Sequence, residues 1–274
     1  MAHFYLTLPS NSSMQYYPNN TVTHFTTRLE NVISLSGDWE VGLVEILYPH
    51  TWNNLERNDG RITYTHMKYS ETGDILPGSV HRTTRLPTGH YETAHHLIDS
   101  INKFILLVAD EMELDSFPKF KYDPITNRLN GDINKGANIQ FSPAICSMLG
   151  VATRQNPIIN DDEDDDYIFE FMGSNACDVN RGFSSLYVYC NVLEQVPVGD
   201  TKAPLLRIVN VSGKGGDSVR VAYEKPVYIP LQQKTFDSIE VDIRSDIGSP
   251  IPFEYGKAIV TLHFRYCKIP YLLQ

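Results

Sequence analysis

The chain has 274 residues, 42% of them hydrophobic and 11% aromatic, so it can bury a substantial core without disulfide or metal staples and is too apolar to stay disordered. No stretch approaches the ~20 apolar residues of a bilayer-spanning helix; the best run is Phe104 to Ala109. With 33 acidic against 23 basic residues the formal net charge is −10, which argues against a nucleic-acid groove, whose affinity comes from Lys and Arg neutralising phosphates.

Met1 to Pro9 lacks the basic and long apolar regions of a signal peptide, so the sequons at Asn11, Asn19 and Asn210 are expected to stay unused. Short strands dominate the reading. Phe4 to Leu8 alternates, Thr21 to Leu29 is rich in Thr, Val and Phe, and Trp39 to Leu47 carries apolar residues on both parities, as a strand covered on both sides would. Arg61 to Tyr69 alternates before a turn at Gly73-Asp74. Thr93 to Val108 then changes period: Ala94, Leu97, Ile98, Ile101, Phe104, Ile105 and Val108 share one helical face, with Glu92 or Thr93 near its start. A hairpin is predicted over Phe120 to Ile133 with its turn at Asp123 to Asn127. A short helix follows, with Ser142 as N-cap, Pro143 first inside and Gly150 as the stop.

Beyond the acidic run Asp161 to Asp166, read as a solvated loop, alternation returns. Leu186, Val188, Cys190 and Val192 share one face and Tyr187, Tyr189 and Asn191 the other. Ile239, Val241 and Ile243 alternate with Glu240, Asp242 and Arg244; Ala258, Val260, Leu262 and Phe264 oppose Thr261 and His263. The expected fold class is therefore mainly β, an antiparallel sandwich formed by residues 1–70 and 176–274. Residues 71–175 form an α+β insertion subdomain with the acidic loop near 160–166.

Candidate chemistry is thin. Gly213-Lys214-Gly215-Gly216 lacks the phosphate-loop spacing and lies between Leu205 to Val211 and Ser218 to Tyr223, where it reads as a hairpin turn. His90, His95 and His96 form the densest histidine cluster, but adjacent helical residues face different ways and no Cys or acid stands at ligand spacing. The acidic run lacks the glycine and spacing of a calcium loop; a basic partner surface is its functional alternative. Cys146, Cys177, Cys190 and Cys267 are widely spaced, without a C-x-x-C pair, and read as buried thiols in a reducing compartment. No G-x-S-x-G elbow occurs. No catalytic, metal or cofactor residue is assigned, and no subunit-interface residue either. The apolar tail Ile269 to Leu273 either folds back or docks onto another subunit.

Several blocks carry a family resemblance. They are Leu8 to Thr21 (LPSNSSMQYYPNNT), Phe25 to Leu29 (FTTRL), Leu35 to Leu43 (LSGDWEVGL), Leu186 to Cys190 (LYVYC), Val198 to Arg207 (VGDTKAPLLR), and Phe236 to Arg265 around Pro252 to Lys257 (PFEYGK). In this order, and with a looser match over about 70–175, the chain resembles the minor capsid (penton) proteins of Polinton/Maverick elements and adintovirus-like relatives. The resemblance implies a single jelly roll forming homopentamers at the fivefold vertices of an icosahedral capsid, beside a double jelly-roll major capsid protein. It also implies a virion protein without catalysis; with the residue readings above, the chain is expected to be made in a reducing compartment of the host cell, cytoplasm or nucleus, and to have no cofactor, specific nucleic-acid binding or membrane span.

Two other classes compete with this reading. A receptor- or carbohydrate-binding β-sandwich would use Tyr16, Tyr17, Trp39 and Trp52 as platforms, although Trp39 sits in an apolar strand and reads as core. A cupin-like metalloenzyme would need clustered histidines, whereas His24, His50, His66 and His81 stand singly, without an H-x-H pair.

Overall fold

A computed structural model describes residues 2–67, 80–114, 116–160, 168–180 and 183–267. The turn at Gly73-Asp74, the acidic run Asp161 to Asp166 and the tail Ile269 to Leu273 lie outside the described residues. The chain divides into two compact units, Met1–Trp52 with Phe183–Gln274, and Asn53–Gly182.

In chain order the first unit opens with β1 (His3–Pro9), β2 (His24–Ser34) and β3 (Trp39–Pro49). The inserted unit holds β4 (Arg61–His66), β5 (Val80–Arg85), α1 (Ala94–Glu111), β6 (Lys119–Asp123), β7 (Arg128–Ile133) and β8 (Ala137–Phe141). It continues through α2 (Pro143–Leu149), a 3-10 turn at Thr153–Gln155, β9 (Ile158–Ile159) and β10 (Phe169–Met172). The first unit resumes with β11 (Ser185–Cys190), β12 (Val196–Val198), β13 (Thr201–Ala203) and β14 (Leu205–Asn210). It finishes with β15 (Ser218–Ala222), β16 (Tyr228–Pro230), β17 (Thr235–Ser245) and β18 (Ile259–Tyr266).

Two antiparallel sheets build the first unit, β1-β18-β3-β15, where β16 also pairs with β3, and β14-β11-β17-β2. Eight long strands carry the topology. The first pairs with the last (β1 with β18), the second with the seventh (β2 with β17), the third with the sixth (β3 with β15) and the fourth with the fifth (β11 with β14). That nesting is a hairpin ribbon rolled up on itself, closed by the seams β18 to β3 and β17 to β11. It is a single jelly roll. The other unit enters the roll between its third and fourth strands.

The alternation read from the sequence points into the core. Leu186, Val188, Cys190, Val192, Ile239, Val241, Ile243, Ala258, Val260, Leu262 and Phe264 are all buried in one apolar cluster with Phe25, Val41 and Leu43. Phe264 stacks on Phe4 at 4.7 Å between ring centres. Trp39 to Leu47 is not a strand with two covered faces. A bulge shifts its register against β18, where Thr261 faces Glu45 but Leu262 faces Leu43. The buried parity therefore switches from Val41 and Leu43 to Ile46 and Tyr48, and one core face explains apolar residues on both parities.

Two further expectations are corrected. Arg61 to His66 does not join the sandwich: β4 pairs with β5 and β8, and the units meet at 52/53 and 182/183, not at 70/71 and 175/176. The glycine-rich segment Gly213 to Gly216 is not a hairpin turn, because β14 belongs to one sheet and β15 to the other. It is a crossing between layers, pinned by Gly216 N–H donating to His50 O at 2.7 Å and Lys214 N–H to the Asp217 carboxylate at 2.8 Å.

The inserted unit packs a four-stranded sheet, β5-β4-β8-β9, and a three-stranded sheet, β10-β7-β6, with α1 and α2 around its own core. Thr93 caps α1 by accepting from His96 N–H at 3.3 Å, and Leu97, Ile98, Ile101, Ile105 and Val108 form its buried face. Asn102 on α1 clamps β6, donating to Phe120 O at 2.7 Å and accepting from Phe120 N–H at 2.9 Å. The β6–β7 turn is held by Asp123, which accepts from Ile125 N–H and Thr126 Oγ1. Ser142 caps α2, Pro143 opens it, and Gly150 ends it at φ 68°. A Cβ on Gly150 would stand 2.2 Å from Asn175 O, so the position demands glycine on both counts.

Candidate functional site

The histidines weighed from the sequence are dispersed into separate small contacts. His95 and His96 are exposed on α1, where His95 meets Tyr122 edge-on at 4.9 Å. His24 pairs with Glu240 at 3.2 Å, and His66 Nδ1 meets Tyr64 Oη at 3.2 Å. His81 Nδ1 meets Thr65 Oγ1 at 3.0 Å. Buried His50 stacks on Trp52 at 4.0 Å, its Nδ1 3.1 Å from Ser212 O. Among the described residues no three His, Cys, Asp or Glu gather as metal ligands. The four cysteines are free thiols. Burial pushes Cys146 and Cys177 up to about 11 and Cys190 up to about 12, so these three stay protonated and poorly nucleophilic near neutral pH.

The aromatic platforms separate by burial. Trp52 is buried, flanked by His50, Phe183 and Phe253. Trp39 is half-buried between Phe4 and Tyr266, and its indole N–H donates to Ser36 O. Tyr16, with Arg28 4.4 Å over its ring, and Tyr17 line a shallow hollow together with Asn19, Asn20, His24 and Glu240. The β17–β11 surface beside it is charged. Arg244 pairs with Asp242 at 2.7 Å, and Tyr187 and Tyr189 stand opposite them across the strands.

The outer face of the β1-β18-β3 sheet is more elaborately built. One row runs straight across four strands: Tyr5 on β1 opposes His263 on β18, His263 opposes Gly42 on β3, and Gly42 opposes Tyr228 on β16. Gly42 puts no side chain in this row, and a Cβ there would meet Val227 O at 2.8 Å. Tyr228 can therefore reach over it and bring its hydroxyl 2.7 Å from His263 Nδ1. Tyr5 stacks on the same imidazole at 4.4 Å. In the next row His3 opposes Arg265, which opposes Glu40. Arg265 donates to the Glu40 carboxylate and lies 3.4 Å over the Tyr228 ring. His3 reaches diagonally so that its Nδ1 lies 3.2 Å from His263 Nε2. Burial, then His3 and Arg265, hold the His263 pKa below the ordinary histidine value, which favours the neutral ring.

Sequence reading placed His263 on the outward face of its strand but missed its partners. His3, Tyr5 and Tyr228 come from both ends of the first unit and meet only through register. The available signal was the outward parity His3, Tyr5, Thr7 matched against Thr261, His263, Arg265.

No protein-family model and no curated protein sequence matches the chain. Among solved structures the chain is similar to the mavirus penton protein, at a TM-score of 0.53 and 12% sequence identity, over 97% of this chain and 100% of that one. The likeness is one of fold: a mainly β, jelly-roll architecture shared across the length of both chains.

Proposed function

We propose that the chain is a structural virion protein of the Polinton/Maverick penton type, forming homopentamers at the fivefold vertices of an icosahedral capsid. The observation that carries the reading is the fold likeness to a penton protein over nearly the whole of both chains. The ordered sequence blocks from Leu8 to Arg265 support it independently.

On this reading the protein works by shape. A ring of identical subunits needs two different patches of one surface to meet, and closes only if the rotation they impose is a whole fraction of a turn. An interface of that permanence commonly buries more than ~2,000 Å². Its neighbour at the vertex is a double jelly-roll major capsid protein, its location is the virion, and no group on it is asked to react. The charge of −10 per subunit must be kept away from the contacts or matched there by some of the 23 Lys and Arg residues.

Native mass spectrometry and sedimentation of the purified chain, alone and mixed with its major capsid protein, test this. Five subunits, formed either alone or on mixing, are expected. A stable dimer or trimer under both conditions overturns the proposal. Glycan-array binding by a monomer that never assembles points instead to a receptor-binding sandwich, with exposed Tyr16 and half-buried Tyr17 the platforms left to it.

A further inference from the structure

The geometry points to a two-histidine site for a borderline divalent metal ion, Zn²⁺, Ni²⁺ or Cu²⁺, formed by His3 on β1 and His263 on β18. Two imidazole nitrogens bound to one tetrahedral ion at 2.0–2.1 Å stand about 3.3 Å apart. His3 Nδ1 and His263 Nε2 stand 3.2 Å apart already, with their rings 82° to each other. An ion entering between them requires only a small outward turn of His3, which is exposed on β1.

Three features favour a metal over a mere pair of surface rings. The Tyr228 hydroxyl sits 2.7 Å from His263 Nδ1, the hydrogen bond from the far ring nitrogen that fixes the orientation of a ligating imidazole. Tyr5 stacked at 4.4 Å restrains the same ring from its face. Arg265, whose charge is felt at His263, is paired with the Glu40 carboxylate and lies over the Tyr228 ring, which offsets part of its repulsion of an incoming ion. Imidazole nitrogen suits Zn²⁺, Ni²⁺ and Cu²⁺ and discriminates against Mg²⁺ and Ca²⁺, which take oxygen ligands. Among the described residues no third His, Cys, Asp or Glu completes the set, so solvent takes the remaining positions and the site is open. Such an ion ties the opening strand of the roll to its closing strand.

The test uses the full-length chain without a histidine tag and Zn²⁺ or Cu²⁺ alone as probe. Calorimetric titration is expected to give one site per subunit, and the electron paramagnetic resonance spectrum of the Cu²⁺ form two coordinated imidazoles. His3→Gln and His263→Gln, each first checked for an unchanged circular dichroism spectrum and metal-free Tm, are expected to lower Zn²⁺ affinity at least tenfold. Tyr228→Phe is expected to weaken it less. Zn²⁺ is expected to raise the wild-type Tm and leave both glutamine variants unmoved. The inference is overturned if His263→Gln keeps wild-type Zn²⁺ affinity, whether or not His3→Gln loses it. A Cu²⁺ spectrum with a single imidazole, from protein that needs no substitution, overturns it equally.

Discussion

The two units of this chain solve the same burial problem, the roll with the longest pairings in the sequence and the inserted unit with a mixture of short and longer ones. In the jelly roll, His3 pairs with Arg265 and Pro9 with Ile259, so its sheets are stitched from the two ends of the sequence. In the inserted unit, β6 meets β7 across a turn of a few residues, and α1, α2 and their caps are written in consecutive positions. Each has its own apolar cluster. The comparison teaches that local chemistry decides what an element is, whereas only register decides what it touches.

The largest test of that division is a core truncation in each unit. Phe264→Ala removes a fully buried ring and is expected to cost roughly 3–5 kcal/mol, while Ile101→Ala is expected to cost about 2–5 kcal/mol. Both tryptophans, Trp39 and Trp52, belong to the first unit, so urea unfolding followed by tryptophan fluorescence reports the roll, and far-ultraviolet circular dichroism both units. Phe264→Ala is expected to move the fluorescence transition and Ile101→Ala chiefly the dichroism. Equal movement of both signals by either variant breaks the two-core description.

Glycine substitutions sharpen it at the next level. Gly150→Ala is expected to cost roughly 3 kcal/mol, about 1–2 of it for a left-handed backbone and the rest for the collision with Asn175 O. Gly199→Ala, at φ 61° with open space around it, bears only the backbone part. Denaturation midpoints of the two variants measure the difference. Smaller again are the caps. Thr93→Ala is expected to cost about 1 kcal/mol and Ser142→Ala somewhat more, since the Ser142 hydroxyl also donates to Asp59 O in a half-buried setting.

The smallest effect is a pH dependence. The Thr126 hydroxyl, then the Ile125 N–H, hold the Asp123 carboxyl below its ordinary pKa. A carboxylate depressed in the folded state adds stability above its unfolded pKa of about 3.9, and loses it as the pH falls through the lower folded value. The stability gap between wild type and Asp123→Asn is therefore expected to be present at neutral pH and to close under strong acid. Asp123 lies in a surface turn, half-buried, where solvent screens the carboxylate, so the gap is small.

What was legible in the sequence follows the same line. Thr93, Ser142, Pro143, Gly150 and the Asp123 turn announce their elements because the group that satisfies each backbone end lies within a few positions. The inward residues of β11, β17 and β18 were legible because period two survives in any pairing. The bulge that switches parity in β3 was not, since nothing within Trp39 to Leu47 marks where its partner skips a residue. The layer crossing at Gly213 to Gly216 reads locally like a hairpin, as both need glycine at positive φ. The His3–Tyr5–His263–Tyr228 cluster was illegible for the same reason as the bulge. It exists only once β1 has found β18 and β16 has found β3.

That nesting has a consequence for synthesis. A ribosome delivers β1 at the start of this sequence and β18 near its end, and at about 5–20 residues per second the interval between them is tens of seconds. Every strand and helix of the inserted unit is delivered within that interval, ahead of β11 and everything after it. The segments that become β1, β2 and β3 thus have no partner strand while an entire second body is made behind them, and the two sheets close only once β15, β17 and β18 follow.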